Sequence, residues 1–293
     1  MTTIDIKLSV IIVTYNSCNV IQKCLESISI YNDIGSRLEV IIVDNSPHSK
    51  IHKVIQDLHL SLDVKYIHNP KNGGFGQGNN IGASLTNGKY LLFLNPDTII
   101  IEEIFLFAIN QFNNDKMLGV FGMLLYDENG KRCMNSFGYM PEKKRLLPVI
   151  FWWPFIKYIN YSPKNLFPLG ANLFVTRALF ENSGCFDENF FMCYEEPDLI
   201  SRIPSAFKVK IFNKKIIHLD GHTTEEIGIE NRLNQSFQSE KYYFDKYKFD
   251  YIKYSKKVLM LMKIKYILYT LFGKNKKNLS IYIESRRKFS TKL

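Results

Sequence analysis

Four apolar residues in unbroken succession, Leu91 to Leu94, run into Asn95-Pro96-Asp97. A run of this kind reads as a strand covered on both faces, as in a parallel sheet held between helix layers. Pro96 has no amide hydrogen, so strand pairing stops there. Asp97 then falls just beyond the carboxyl end of a central strand, the edge at which open α/β sheets bind ligands. A carboxylate at that edge suits a divalent cation, and a divalent cation suits a diphosphate. Asp97 could equally cap the segment Glu102 to Phe112 or close a turn, and this stretch alone leaves both readings open.

Two earlier runs repeat the pattern. Leu8 to Val13 ends in Thr14-Tyr15-Asn16, and Leu38 to Val43 ends in Asp44-Asn45-Ser46. Between them Val20, Ile21, Leu25 and Ile28 recur at helical spacing over Asn19 to Ser29, with Ser17 or Asn19 as N-cap. A helix over Lys50 to Leu60 and a short strand at Val64 to Ile67 follow, then a Gly- and Asn-rich loop, Asn69 to Gly82, leading into a helix. This alternation implies βαβ units and a mostly parallel sheet flanked by helices. Right-handed crossovers put the polar strand ends on one edge, so Thr14, Tyr15, Asp44, Asn45 and Asp97 are expected to face one crevice. Each alone could be a turn former. Three strands that all end in ligand-binding side chains point to a site.

The loop Asn72 to Asn80 lacks the GxGxxG spacing and does not follow the first strand, so it is not a dinucleotide fingerprint. Its glycines let backbone approach a ligand or permit positive φ, with a purely structural loop as the alternative. Leu118 to Tyr126, Gly170 to Val175 and Val209 to Phe212 read as strands, and Glu128 to Lys131 as a turn. Arg145 to Phe167 is rich in aromatics and proline and poorly periodic. It reads as a long loop or short helices touching an acceptor or a membrane, though core packing explains its aromatics almost as well. Glu195, Glu196 and Asp198 crowd into four residues around Pro197. A helix N-terminus compensates such a cluster and suits the proline. That accounts well for Asp198, less well for Glu195 and Glu196, and a general base would need such a place. His218 and His222 are four apart, but Gly221 and the lack of a Glu partner argue against a zinc-binding helix face.

Charge divides the chain. Residues 241–293 hold 15 Lys and Arg against 3 Asp and Glu, leaving 23 against 25 in the rest. The basic excess therefore has a local cause. Val258 to Phe272 is apolar almost all round but carries Lys263 and Lys265, and is shorter than the ~20 residues that span a bilayer. It is expected either to lie on an anionic inner leaflet as an interfacial helix, or to pack on the catalytic domain or on a second copy in a homo-oligomer. No nucleic-acid motif accompanies the charge, so no nucleic-acid partner is expected. The five cysteines are odd in number and irregularly spaced, and the start lacks the pattern of a signal peptide. These features lead us to expect a reducing, cytoplasmic setting, peripheral on the membrane's inner face if the tail binds there. The division expected is a domain over 1–240 and a basic helical extension over 241–293.

In order along the chain, several stretches together resemble glycosyltransferase family 2, the inverting enzymes of GT-A type. They are Ser9 to Asn16, Val43 to Ser46, Asn72 to Gly82, Leu94 to Asp97, Gly184 to Phe191, Glu195 to Leu199 with Arg202, and His218 with Gly221. The Asn-Pro-Asp variant looks most like the rhamnosyltransferase-like branch that builds bacterial surface polysaccharides. The resemblance implies the roles that follow. Asp44 would hydrogen-bond a uracil or thymine base, with Thr14, Tyr15 and Asn45 around it. Asn72, Gly74 and Asn80 would hold a UDP- or dTDP-sugar, dTDP-rhamnose among them. Asp97 and His218 would bind Mg²⁺ or Mn²⁺ on the diphosphate beside Asn95. Glu196 would be the catalytic base, flanked by the substrate-binding Glu195 and Asp198, acting on a lipid-linked glycan acceptor. Two positions depart from the family. Asn95 stands where its Asp-x-Asp motif has the first Asp, removing one charge from the metal site. Glu196 stands where Asp is common, moving the carboxylate by about one C–C bond, roughly 1.5 Å.

Two other classes compete. A nucleotidyltransferase would share the sheet and a metal-binding Asp, but wants a Gly-rich basic phosphate loop after the first strand, where Thr14-Tyr15-Asn16-Ser17 stands. A non-catalytic nucleotide-sugar binder is favoured only if Asn95 abolishes metal binding.

Overall fold

The structure, a computed structural model, describes residues 5, 7–133, 136–141, 166–219 and 228–291. The expectations for the aromatic stretch from 145 to 165, and for Gly221 and His222, lie outside those residues.

The first half alternates as the apolar runs require: β1 Leu8–Thr14, α1 Cys18–Ile30, β2 Leu38–Asp44, α2 Lys50–Asp57, β3 Asp63–His68, α3 Gly74–Ser84 and β4 Tyr90–Leu94. A short β5 Thr98–Ile100, α4 Phe105–Asn114 and β6 Leu118–Tyr126 follow. Then come β7 Phe137–Tyr139, β8 Leu166–Pro168, β9 Asn172–Thr176, α5 Arg177–Asn182, α6 Glu195–Arg202 and β10 Lys208–His218. Three helices close the chain, α7 Ile229–Lys246, α8 Tyr251–Leu271 and α9 Lys277–Ser290.

One eight-stranded sheet runs β3-β2-β1-β4-β9-β6-β10-β5. The β3 to β4 block is parallel, as is β6 with β10, whereas β9 is antiparallel to both neighbours and β5 to β10. β1 shows why the runs are so largely apolar. Leu8, Val10 and Ile12 pack on one face with α1 and α4, while Ile11 packs on the other with α3. Successive side chains point to opposite faces, so a strand with helices on both sides must be largely apolar, and the buried Ser9 is met by Glu39 of β2 at 2.7 Å.

Register places the site. Thr14 lies opposite Asp44, and Asp44 opposite His68, so β1, β2 and β3 end in step. At the far edge His218 lies opposite Thr98, and the Leu219 amide donates to the Asp97 carbonyl at 2.8 Å. The end of β10 is thereby tied to the residue after Pro96.

The Gly- and Asn-rich segment is corrected by the structure: it is helical from Gly74, not a loop to Gly82. A Cβ at Gly78 would lie 2.8 Å from Val13 Cγ1, and one at Gly82 would lie 2.4 Å from Ile11 Cγ2. Gly78 and Gly82 share one helix face, and the bare face lets α3 lie directly on β1. Close packing overrides the poor helix propensity of glycine.

The expected division at residue 240 falls inside α7. Tyr243 and Phe244 of α7 and Tyr251 of α8 cluster with Phe190, which precedes the acidic helix. Among the described residues no helix is long and apolar enough to cross a membrane.

Candidate active site

A cleft of about 690 Å³ opens where the carboxyl ends of β1 and β4 meet the end of β10 and the start of α6. Thr14, Tyr15, Asn45, Asn72, Gly74, Asn95, Asp97, Glu195, Glu196 and His218 all line it. Their convergence follows from the register, since each sits at or just beyond a strand end or a helix start.

Asp44 does not line the cleft, contrary to the expectation that it faces the crevice. It is fully buried, and its carboxylate is already surrounded by donors. Oδ1 accepts from Thr14 Oγ1 at 3.1 Å, Ser46 N at 3.1 Å and Ser46 Oγ at 2.5 Å, and Oδ2 accepts from the Tyr66 hydroxyl at 2.8 Å. Burial, then the hydrogen bond to Asp44, raises the Tyr66 hydroxyl above its ordinary range. Asp44 reaches the cleft only through Thr14.

The loop after β3 is clamped to the stretch before α6. Asn45 Nδ2 donates to the Gly74 carbonyl at 3.1 Å, and the Gly74 amide donates to Asn72 Oδ1 at 3.2 Å. Gly74 has φ +91°, and a Cβ there would sit 2.0 Å from the Phe191 carbonyl oxygen. That oxygen accepts from the Phe75 amide at 3.0 Å. Only glycine fits this approach. Asn80 serves the clamp from behind the cleft, which it does not line. Its amide holds both backbone groups of Phe186, at 2.9 and 3.0 Å, and it donates to Glu188 at 3.0 Å.

Asp97 is 5% exposed. Its Oδ1 has no hydrogen-bond donor among the described residues and lies 3.2 Å from His218 Nε2. A buried carboxylate oxygen left without a donor is costly unless a cation or a ligand donor meets it. No group of three His, Cys, Asp or Glu side chains that could hold an ion occurs among the described residues. Asp97 and His218 therefore fit an ion that takes its remaining ligands from substrate phosphates and water, which is how Mg²⁺ is commonly held. They do not form an all-protein metal cage.

The acidic cluster begins α6, as its composition demands. Cys193 and Tyr194 precede it at φ 68° and 76°. For residues other than glycine such backbone costs on the order of 1–3 kcal/mol each and is kept only where its surroundings enforce it. Glu196 Oε1 accepts from the Gly170 amide at 2.7 Å. Burial raises the Glu196 carboxyl above its usual range. Burial, then repulsion from Glu196, raises Glu195 further, and Glu195 Oε1 has no partner among the described residues. Asp198 is turned away from the cleft and lies among cations. It accepts from Arg202 Nε at 3.0 Å, Lys246 Nζ at 2.5 Å and the Tyr247 hydroxyl at 2.9 Å.

A family model described as Glycosyl transferase family 2 matches residues 9–158. The chain belongs to that family. Across 208 residues it is 29% identical to the low-salt glycan biosynthesis hexosyltransferase Agl10 of Haloferax volcanii, covering 67% of this chain and 61% of that protein. Across 140 residues it is 32% identical to the GalNAc(5)-diNAcBac-PP-undecaprenol beta-1,3-glucosyltransferase of Campylobacter jejuni, covering 47% and 44% of the two chains. The chain thus spans less than two thirds of either relative. The mannosyltransferase PcManGT from Pyrobaculum calidifontis, solved with GDP-Man and Mn²⁺, superposes with a TM-score of 0.60 at 13% identity over 95% of this chain and 73% of that one. The fold is accordingly of GT-A type.

Within this family member, three cleft residues of α7 escaped the sequence reading: Arg232, Gln235 and Ser236. Their i, i+3, i+4 spacing marks one helix face. That face was legible in principle as a helical spacing, but nothing local in the sequence shows that this helix packs beside the strand ends.

Proposed function

We propose that this chain transfers a hexosyl group from a nucleotide-diphospho-sugar to an acceptor hydroxyl with inversion at the anomeric carbon. The observation that carries the reading is the placement of Asp97, whose buried Oδ1 has no hydrogen-bond donor among the described residues, and Glu196 on the walls of one cleft. Glu196 removes the proton of the acceptor hydroxyl as that oxygen attacks the anomeric carbon. The bond from that carbon to the diphosphate oxygen breaks with its electron pair, and the nucleoside diphosphate leaves from the opposite face. A divalent ion, Mg²⁺ or Mn²⁺, supplies neutralisation of the charge that builds on the diphosphate. Asp97 and His218 would hold it, with Asn95 and Arg232 beside the phosphates. Thr14, Tyr15, Asn45, Asn72 and Gly74 would bind the nucleotide and the sugar.

The family resemblance favours a UDP- or dTDP-sugar donor, with dTDP-rhamnose as the specific case, in the synthesis of a bacterial surface polysaccharide. A lipid-linked glycan is the acceptor class. The name of the Campylobacter relative, which carries an undecaprenol-linked glycan, supports it. Residues 241–293 are read as an extension that brings the enzyme to such an acceptor on the inner face of the cytoplasmic membrane. Met260, Ile264, Ile267 and Leu271 form one exposed apolar face of α8, with Lys263 exposed beside them. Val258 and Leu261 on the opposite face pack against Tyr254, Met262 and Tyr282. One helix thus has a packed side and a side suited to an anionic surface.

The test is release of nucleoside diphosphate from a panel of nucleotide-sugars, with and without Mg²⁺ or Mn²⁺. Glu196→Gln and Asp97→Ala should each lower turnover at least ~100-fold, the order expected for one acid–base or electrostatic group. Near-normal turnover in folded Glu196→Gln protein would remove that residue from the role.

A further inference from the structure

Arg286, in α9 near the end of the chain, is among the largest fully buried side chains, at 0% exposure. A buried guanidinium is expensive unless paired and hydrogen-bonded. Arg286 forms a buried ion pair with Glu240 of α7, through Nη2 and Oε1. Its Nη1 donates to the Tyr282 hydroxyl at 3.1 Å, and the guanidinium lies 4.9 Å from the centre of the Phe237 ring. The second oxygen of Glu240, Oε2, accepts from the Tyr194 hydroxyl at 2.7 Å. Tyr194 is the second of the two left-handed residues that lead into Glu195 and Glu196. Its ring packs against Tyr243 of α7, with centroids 5.5 Å apart.

Each link has a physical reason. Two consecutive left-handed residues without glycine revert to ordinary backbone unless something holds them. Tyr194 is held at its far end by a carboxylate, and that carboxylate is anchored by a guanidinium that supplies several fixed donors. The chain Arg286–Glu240–Tyr194 runs from the last helix to the peptide before the base. Tyr194 lines the cleft beside Glu195 and Glu196, whereas Glu240 and Arg286 stand behind it and do not line it.

We infer that Arg286 is a positioning residue: through Glu240 and Tyr194 it fixes the Cys193–Glu196 backbone and so aims the Glu196 carboxylate, making the C-terminal helices part of the catalytic apparatus. This rests on the proposed role of Glu196. It goes beyond it by assigning α9 work in the reaction that is separate from membrane contact.

The experiment compares full-length wild type, Tyr194→Phe, Arg286→Met and the double variant. Tyr194→Phe removes one hydroxyl and keeps the ring, so it should remain folded even if Arg286→Met does not. Expected are a fall in kcat of about 10-fold in Tyr194→Phe, the order for a sub-ångström misplacement, and a donor KM within about 2-fold of wild type. Arg286→Met, where it folds, should match that phenotype, and the double variant should be no worse than the more impaired single variant. Hydrogen exchange of amides 191–196 should quicken about 10-fold in Tyr194→Phe, with β1 to β4 unchanged. The inference is overturned if Tyr194→Phe keeps wild-type kcat and exchange, if kcat and donor affinity fall together, or if the two substitutions add. Wild-type protein that releases no nucleoside diphosphate from any donor would count against the proposed function alone, because the exchange comparison still decides the positioning.

Discussion

Gly170→Ala separates the geometry of the base from the stability of the fold. The Gly170 amide donates to Glu196 Oε1 at 2.7 Å. A Cβ at this position would lie 2.9 Å from that same oxygen and 2.7 Å from Phe75 Cζ, where ordinary contacts begin near 3.4 Å. The carboxylate must therefore retreat by about 0.5 Å and the ring by about 0.7 Å. Both obstacles are ends of side chains, so overpacking costs about 1–3 kcal/mol. In a chain of this size that lowers Tm by roughly 2–6 °C. Catalysis is less forgiving. A misplacement of 1 Å costs on the order of 10²-fold, so half of that costs about 10-fold in kcat, or about 1.4 kcal/mol of barrier. The assay is nucleoside diphosphate release at saturating donor, with folded protein measured by circular dichroism. Introduced into Glu196→Gln, the same alanine should have no further kinetic effect, since no base remains to be displaced. A Gly170→Ala protein that shows the expected drop in Tm but keeps kcat within 2-fold of wild type would refute this placement of the base.

The raised carboxyl of Glu196 sets a pH dependence with a definite sign. The base works only when ionised, so turnover should fall on acidification through a midpoint above the ordinary 4.5 of a glutamate. Stability should run the other way in that window. Glu195, raised by burial and by Glu196, binds its proton more tightly in the folded chain than in the unfolded one, so its contribution is present at low pH and lost as pH rises. Tm measured across that range should decline with pH more steeply in wild type than in Glu195→Gln, and equal slopes would contradict the reasoning. For the tail, replacing Ile264, Ile267 and Leu271 by Ser should abolish flotation with anionic vesicles while leaving Tm within a few degrees, since all three are exposed. Unchanged flotation would exclude that face as the anchor.

Much of the frame was legible because it rests on local chemistry. The largely apolar runs of β1, β2 and β4 required helices on both faces, and Pro96 required that β4 end where it does. Thr14, Asn45 and Asp97 could be brought together on paper because parallel strands with right-handed crossovers finish on one edge, whereas Glu196 joined them only through the family resemblance. What failed depended on partners distant along the chain. α3 is a helix because a strand lies flat against its glycines, and no window of sequence contains that strand. Asn80 reads as a loop residue facing a ligand, and only the return of Phe186 beside it shows that it binds backbone. Asp44 has the right place at a strand end, yet Tyr66 on the next strand meets its outer oxygen. Arg286 gave no signal at all in a stretch crowded with surface lysines, because burial is a property of the packed chain.

The acidic helix shows how one turn of backbone sorts like residues to unlike ends. Glu195, Glu196 and Asp198 share the first turn of α6, where the positive end of the helix dipole favours all three. Successive positions rotate by about 100°, so Asp198 points about 200° away from Glu196. That rotation delivers Asp198 to Arg202 of its own helix and to Lys246, whose charge ties α6 to α7, and Glu196 to the cleft, where it accepts from the Gly170 amide. Asp198 is occupied by its ion pairs, whereas burial gives the Glu196 carboxylate a raised affinity for a proton. Moving the base by one position along α6 would therefore do more than shift it in space. It would place it among the cations that hold Asp198, and this is the ground on which we propose Glu196, and not Asp198, as the proton acceptor.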